Sequence, residues 1–127
     1  MTLHWTIDHD ARLVTATAEG SLTAADIKDY LDRIAAAGAM PYAKMFDIST
    51  AESVLSLEEL EMMGKSIRQY AIDGFGPLGP LAIIVGQSHT HLQAARFADS
   101  SVSNRPLQIF RDRRQAQTWL QGLTKNR

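Results

Sequence analysis

The sequence predicts a single α/β domain: a mostly parallel five-stranded sheet with an antiparallel N-terminal hairpin and four helices, in the order ββαβαβαβα. Three observations carry this prediction. Two runs that alternate apolar and polar residues, Leu3–Ile7 and Leu13–Ala18, open the chain with a polar turn between them. After them, apolar runs of strand length alternate with amphipathic runs of helical spacing, as crossover helices joining parallel strands require. The run Leu81–Val85 has no polar residue at all, which suits a central strand covered on both faces.

The 127 residues suffice for one domain with its own core, and an apolar fraction of 45% argues against disorder. The chain has no cysteine, which excludes disulfides, thiol catalysis and cysteine–metal clusters. Its longest apolar run is too short to cross a membrane, and the opening MTLHWTIDHD lacks the basic-then-apolar pattern of a secretory signal. A cytoplasmic protein without an integral membrane segment is therefore expected. The net charge of −1 conceals an asymmetry: residues 1–73 carry twelve Asp/Glu against six Lys/Arg, while residues 103–127 carry six Lys/Arg against Asp112 alone. A basic end suits the C-terminus of a last helix. It lacks the interleaved aromatics of single-strand binders, so nucleic acid is not an expected partner.

Taken in order, the elements have individual reasons. Asp8–Arg12 is a polar connection between the first two strands, and Glu19-Gly20-Ser21 ends the hairpin. Thr23-x-x-Asp26 resembles a capping box, and Ile27, Leu31, Ile34 and Ala35 follow at helical spacing until Gly38 and Pro41 stop the helix. Ala43–Ile48 reads as an interior parallel strand. Ser56-x-x-Glu59 opens a second helix with Leu57, Leu60, Met63, Gly64, Ile67 and Ala71 as its buried stripe. Gly74–Pro80 is turn chemistry and lacks the Lys-Ser/Thr pair of a phosphate-binding loop. A helix is expected from about His89 to Ser101, with Phe97 off its inner stripe. A short strand over Leu107–Phe110 and a helix capped by Asp112, burying Ala116, Trp119, Leu120 and Leu123, close the chain.

In open α/β sheets, ligands favour the crevice beyond the carboxyl ends of the parallel strands. Two such ends stand out: Asp47-Ile48-Ser49-Thr50 and Gly86-Gln87-Ser88-His89-Thr90-His91. Together they supply a carboxylate, hydroxyls, two imidazoles and two helix N-termini, so Asp47, Ser49, Thr50, Ser56, Ser88, His89 and His91 are the candidate ligand- or partner-binding residues. Gly86-x-Ser88-x-Thr90 is similar to the G-x-S-x-G nucleophile elbow, but Thr stands at its last position and Ser88 is equally a helix cap. His89 and His91 diverge by roughly 200° on a helix and lack a spaced acidic third ligand, so no metal site is expected. Phosphorylation of Ser49, Thr50, Ser53 or Ser56 would add negative charge, and at Ser56 it would meet the positive end of a helix. Met40, Met45, Met62 and Met63 are either core or the lining of an adaptable apolar pocket.

The element order and the strand end Phe46-Asp47-Ile48-Ser49 resemble the STAS-like domains, closest to the SpoIIAA-like anti-sigma-factor antagonists, a fold related to the CRAL-TRIO lipid-binding domains. The resemblance spans nearly the whole chain, including Leu107–Phe110 and the helix bearing Trp119. In the antagonist branch the loop after this strand carries Asp-Ser-Ser-Gly, whose serine a partner kinase phosphorylates. Here Val54-Leu55-Ser56-Leu57-Glu58-Glu59 stands in that region, without the flanking Asp and Gly. The resemblance implies a non-enzymatic regulatory or protein-interaction domain working through residues 49–59, without cofactor, partnered by a protein or a second copy of itself. The alternative is a domain binding a small apolar or anionic ligand, or a lipid, in an apolar pocket between sheet and helices.

Overall fold

Each of the predicted strands is present, and their order in the sheet equals their order in the chain. A computed structural model describes residues 3–53, 56–75, 78–86 and 105–125. Its elements are β1 (Leu3–Asp8), β2 (Leu13–Leu22), α1 (Ala24–Ala36), β3 (Ala43–Ser53), α2 (Leu57–Ile72), β4 (Leu81–Ile84), β5 (Leu107–Phe110) and α3 (Arg113–Lys125). The sheet runs β1-β2-β3-β4-β5, with β1 antiparallel to β2 and every other pairing parallel. The described residues hold three helices where the sequence predicts four. The missing one, over 89–101, lies outside them.

The helix ends follow the residues that signal them. Thr23 and Asp26 form the reciprocal capping box, with Asp26 N–H donating to the Thr23 hydroxyl (3.3 Å) and Thr23 N–H to the Asp26 carboxylate (3.2 Å). At the other end Gly38 takes a positive φ of 73°, and the Ala39 N–H reaches back to the Ile34 carbonyl (3.0 Å) while the Gly38 N–H reaches Ala35 (3.1 Å). That is a Schellman closure, and α2 repeats it with Gly74 at φ 92° and Phe75 N–H on the Tyr70 carbonyl (3.1 Å). The Phe75 ring then packs on Tyr70 with centroids 5.7 Å apart, the apolar contact that accompanies such an end.

Helices cover both faces of the sheet. On one, Tyr30, Ile34, Leu60 and Ile67 pack against Val14, Ala16, Ala18, Ile83 and Val85. On the other, Ala116 and Leu120 of α3 meet Ala43, Met45, Ala82 and Ile84, with alanines on both sides of the contact. Met40 and Met45 are core residues, whereas Ala71, expected in the α2 stripe, is exposed.

Two strands are longer than the sequence suggests. β2 continues through Glu19-Gly20-Ser21 to Leu22, and β3 continues past Ile48 to Ser53, the two extensions pairing with one another. Gly20 sits at φ 69°, a conformation glycine adopts freely, so its turn-like composition does not break the strand.

Lys44 is the unexpected resident of the core. Its residue is only 3% exposed, and its ammonium donates to the Met40 and Tyr42 carbonyls, the latter at 2.9 Å. Burial, reinforced by the nearby Arg105 guanidinium, lowers its pKa from 10.5 to about 7. Between those values the unfolded chain holds a proton that the folded chain has shed. Wild-type stability should therefore rise with pH across that window, by a few kcal/mol in total. In urea melts over the same range, Lys44→Met should flatten this rise and match or exceed wild type near pH 7; an unchanged slope would contradict the assignment.

Candidate functional site

The predicted Asp47–Thr50 site is a β-bulge. Thr17 of β2 faces Asp47 and Glu19 faces Thr50, so one residue of β2 is opposed by two of β3. Asp47 produces this kink. Its Oδ1 accepts both the Ser49 N–H (2.9 Å) and the Ser49 hydroxyl (2.6 Å), a local turn that diverts the backbone from the ladder. The Thr50 hydroxyl donates to the Ala18 carbonyl (3.2 Å), at the position on β2 where the register shifts. The other Asp47 oxygen meets Arg113 Nη1 at 3.4 Å, joining β3 to the first turn of α3. Gly86 closes over the bulge from the end of β4: a Cβ there would lie 2.5 Å from the Ser49 carbonyl oxygen.

The structure thus brings Asp47, Ser49 and Thr50 together, each bonded to a group of the fold. Arg113, which the sequence does not single out, completes the group. Ser56 stands apart at the start of α2. Its hydroxyl accepts the Glu59 N–H (3.1 Å) while Glu59 takes the Ser56 N–H (3.0 Å), the capping box that Ser-Leu-Glu-Glu predicts. Ser88, His89 and His91 lie outside the described residues.

A second feature is open to solvent. α1 and α2 leave a groove of about 440 Å³ between them, walled by Ile27 and Leu31 on one side and Met62 and Met63 on the other. Met62 is 60% exposed, so its side chain borders the groove and is not packed under the helix. Ser66, Gln69 and Tyr70 furnish polar atoms along α2. Toward the C-terminal ends of the helices, the Tyr70 hydroxyl donates to the Asp32 carboxylate, which also accepts from Lys28 at 3.0 Å. The Tyr70 and Lys28 bonds hold Asp32 below the usual carboxylate range. Partial burial and then the Asp32 bond push Tyr70 up to about 12. The phenol accordingly keeps its proton at neutral pH, and this closure of the groove persists there. Among the described residues this cavity lies between the two helices, whose sheet-facing sides are filled by Tyr30, Ile34, Leu60 and Ile67.

Among the described residues no group of three or more His, Asp or Glu side chains is placed to hold a metal ion, and no helix is long and apolar enough to cross a membrane. No protein-family model and no curated protein matches the chain. Among solved structures, it is similar to an uncharacterized protein of the DUF3478 family with a SpoIIAA-like fold from Shewanella loihica PV-4. The two share 19% identity and superpose with a TM-score of 0.61 over 93% of this chain and 91% of that one. The chain therefore has a SpoIIAA-like α/β fold, as its element order and Phe46–Ser49 suggest.

The two halves of the bulge should differ in weight. Asp47→Ala leaves the Ser49 N–H and hydroxyl without their acceptor and should cost about 1–3 kcal/mol in a denaturant melt. Arg113→Ala loses a long, half-exposed ion pair and should cost less than about 1 kcal/mol.

Proposed function

We propose that this chain is a non-enzymatic binding domain that takes a small apolar or amphipathic molecule in the groove between α1 and α2. The observation that carries the reading is the groove itself. Its volume of about 440 Å³ lies within the range of small-ligand sites, roughly 300–1,000 Å³. Ala24, Ile27, Leu31, Met62 and Met63 give it apolar walls, and Lys28 on α1 with Glu59, Ser66, Gln69, Tyr70 and Asp73 on the α2 side add polar and charged groups to orient an amphipathic ligand. Methionine side chains re-pack around ligands of different shape, which suits tolerant recognition of an apolar chain. Burying Met62 against such a ligand would contribute up to about 1.5–3 kcal/mol, the worth of a large apolar side chain fully removed from water. The bulge residues have weaker claims as a binding surface, because Asp47, Ser49 and Thr50 already bond within the fold.

A regulatory, protein-partner role is the second reading, and a distinct observation favours it. Met62, Ile72 and Phe75 are the large apolar residues left exposed among those described, and all three belong to α2 or its C-terminal turn. Protein interfaces recruit such residues at their centres.

Thermal-shift titration with medium-chain fatty acids, their alcohols and a set of anionic metabolites separates the readings. The groove reading expects a selective, chain-length-dependent rise in melting temperature. Met62→Gln should reduce that rise while leaving the unliganded melting temperature unchanged, because Met62 is mostly exposed. A flat response to every apolar compound would overturn the groove reading and leave the protein-partner role standing.

A further inference from the structure

At the opposite end of the parallel strands from the bulge lie two cations outside the groove: Lys44, which is buried, and Arg105, half-buried with its Nε–H enclosed. Lys44 is the second residue of β3, and Arg105 stands two residues before β5. Between them Leu81 of β4 pairs with Lys44, and its N–H bonds to the Pro106 carbonyl (2.9 Å). Tyr30 enters from α1: its ring packs edge-on against Phe46, which shares the α1 face of β3 with Lys44, and against Trp5, with centroids 5.4 Å away in both cases. The Arg105 guanidinium acts electrostatically on both the Tyr30 phenol and the Lys44 ammonium.

Three features of this group are out of keeping with a closed core. The Tyr30 hydroxyl is buried without a hydrogen-bond partner, although a buried hydroxyl ordinarily has one. The Arg105 Nε–H is likewise buried without an acceptor. Lys44 spends two of its three N–H donors on the Met40 and Tyr42 carbonyls, and among the described residues no carboxylate forms an ion pair with Lys44 or Arg105. A buried ammonium, a buried hydroxyl and a buried guanidinium Nε–H, the last two without partners, form a costly arrangement unless something accepts their hydrogen bonds. What they offer in common is donors.

We propose that Tyr30, Lys44 and Arg105 bind a small oxyanion, the carboxylate or phosphate group of a ligand, at the amino-terminal end of the parallel strands. An oxyanion presents several lone pairs, enough for the phenol O–H, the guanidinium Nε–H and the remaining ammonium N–H. Its charge would also compensate the two cations, keeping Lys44 protonated in the folded protein. The site is independent of the α1–α2 groove, since none of its three residues lines that groove.

The test uses the full chain exchanged into a bis-tris buffer free of carboxylates and phosphate. Sodium acetate and sodium phosphate are titrated in separate calorimetric experiments at constant ionic strength, with sodium chloride as the balancing salt. Saturable binding of at least one probe is expected, weakened at least about tenfold by Lys44→Met and by Arg105→Gln. Tyr30→Phe should weaken it up to about tenfold, the worth of one hydrogen bond, while melting at or above the unliganded wild type because an unpaired hydroxyl has been removed. Binding of acetate alone identifies a carboxylate site, binding of phosphate alone a phosphate site, and binding of both an oxyanion site that does not discriminate. Absence of saturable binding by either probe, or equal affinity in wild type and all three variants, would overturn the proposal.

Discussion

The architecture turns on one carboxylate. Asp47 lies in the middle of β3, nearly out of reach of solvent, and accepts the Ser49 N–H and hydroxyl on one oxygen while meeting Arg113 with the other. The Ser49 contacts sit at the bulge of the strand, and the long Arg113 pair reaches the start of α3, which apolar packing seats on the second face of the sheet. The pairing with β2 then resumes in a new register and runs on to Ser53. Gly86 seats the end of β4 against the same backbone. A strand end that looks like a binding surface in the sequence is therefore a joint between layers. Polar groups committed to one another in this way have less to offer a ligand.

This shifts attention to the parts of the molecule left incomplete. On the α1–α2 side the sheet-facing helix surfaces are filled, yet the seam between the helices remains open and lined by Met62 and Met63. Near the amino-terminal ends of β3 and β5, the Tyr30 hydroxyl and the Arg105 Nε–H are buried without acceptors. The first is an open apolar seam and the second a pair of buried donors without partners. A closely packed domain ordinarily tolerates few of either.

Much of the fold was legible from the sequence, because it rests on local rules. The two capping boxes, Thr23–Asp26 and Ser56–Glu59, place helix starts to the residue, and the glycines at 38 and 74 place their ends. The apolar run Leu81–Val85 gives the central strand. The bulge was not legible, because an extra residue shifts the period of two and makes the second half of β3 resemble a loop. Lys44 was hidden for a different reason: a lysine in an apolar run is ordinarily a solvated edge, and only tertiary packing shows it buried. The methionines divided, Met40 and Met45 into the core and Met62 and Met63 onto the groove, a distinction set by which helix and strand faces meet. Arg105 and Tyr30 are far apart in sequence and converge only through the crossovers.

Binding through the α1–α2 groove and not through the bulge is the central claim, and amide chemical-shift mapping of the isotope-labelled chain titrated with decanoate addresses it at single residues. Saturable perturbations are expected to centre on Ile27, Leu31, Met62, Met63 and Ser66, with Asp47, Ser49 and Thr50 unmoved. Perturbations centred on Asp47–Thr50 and Ser56–Glu59, with the groove residues silent, would contradict it.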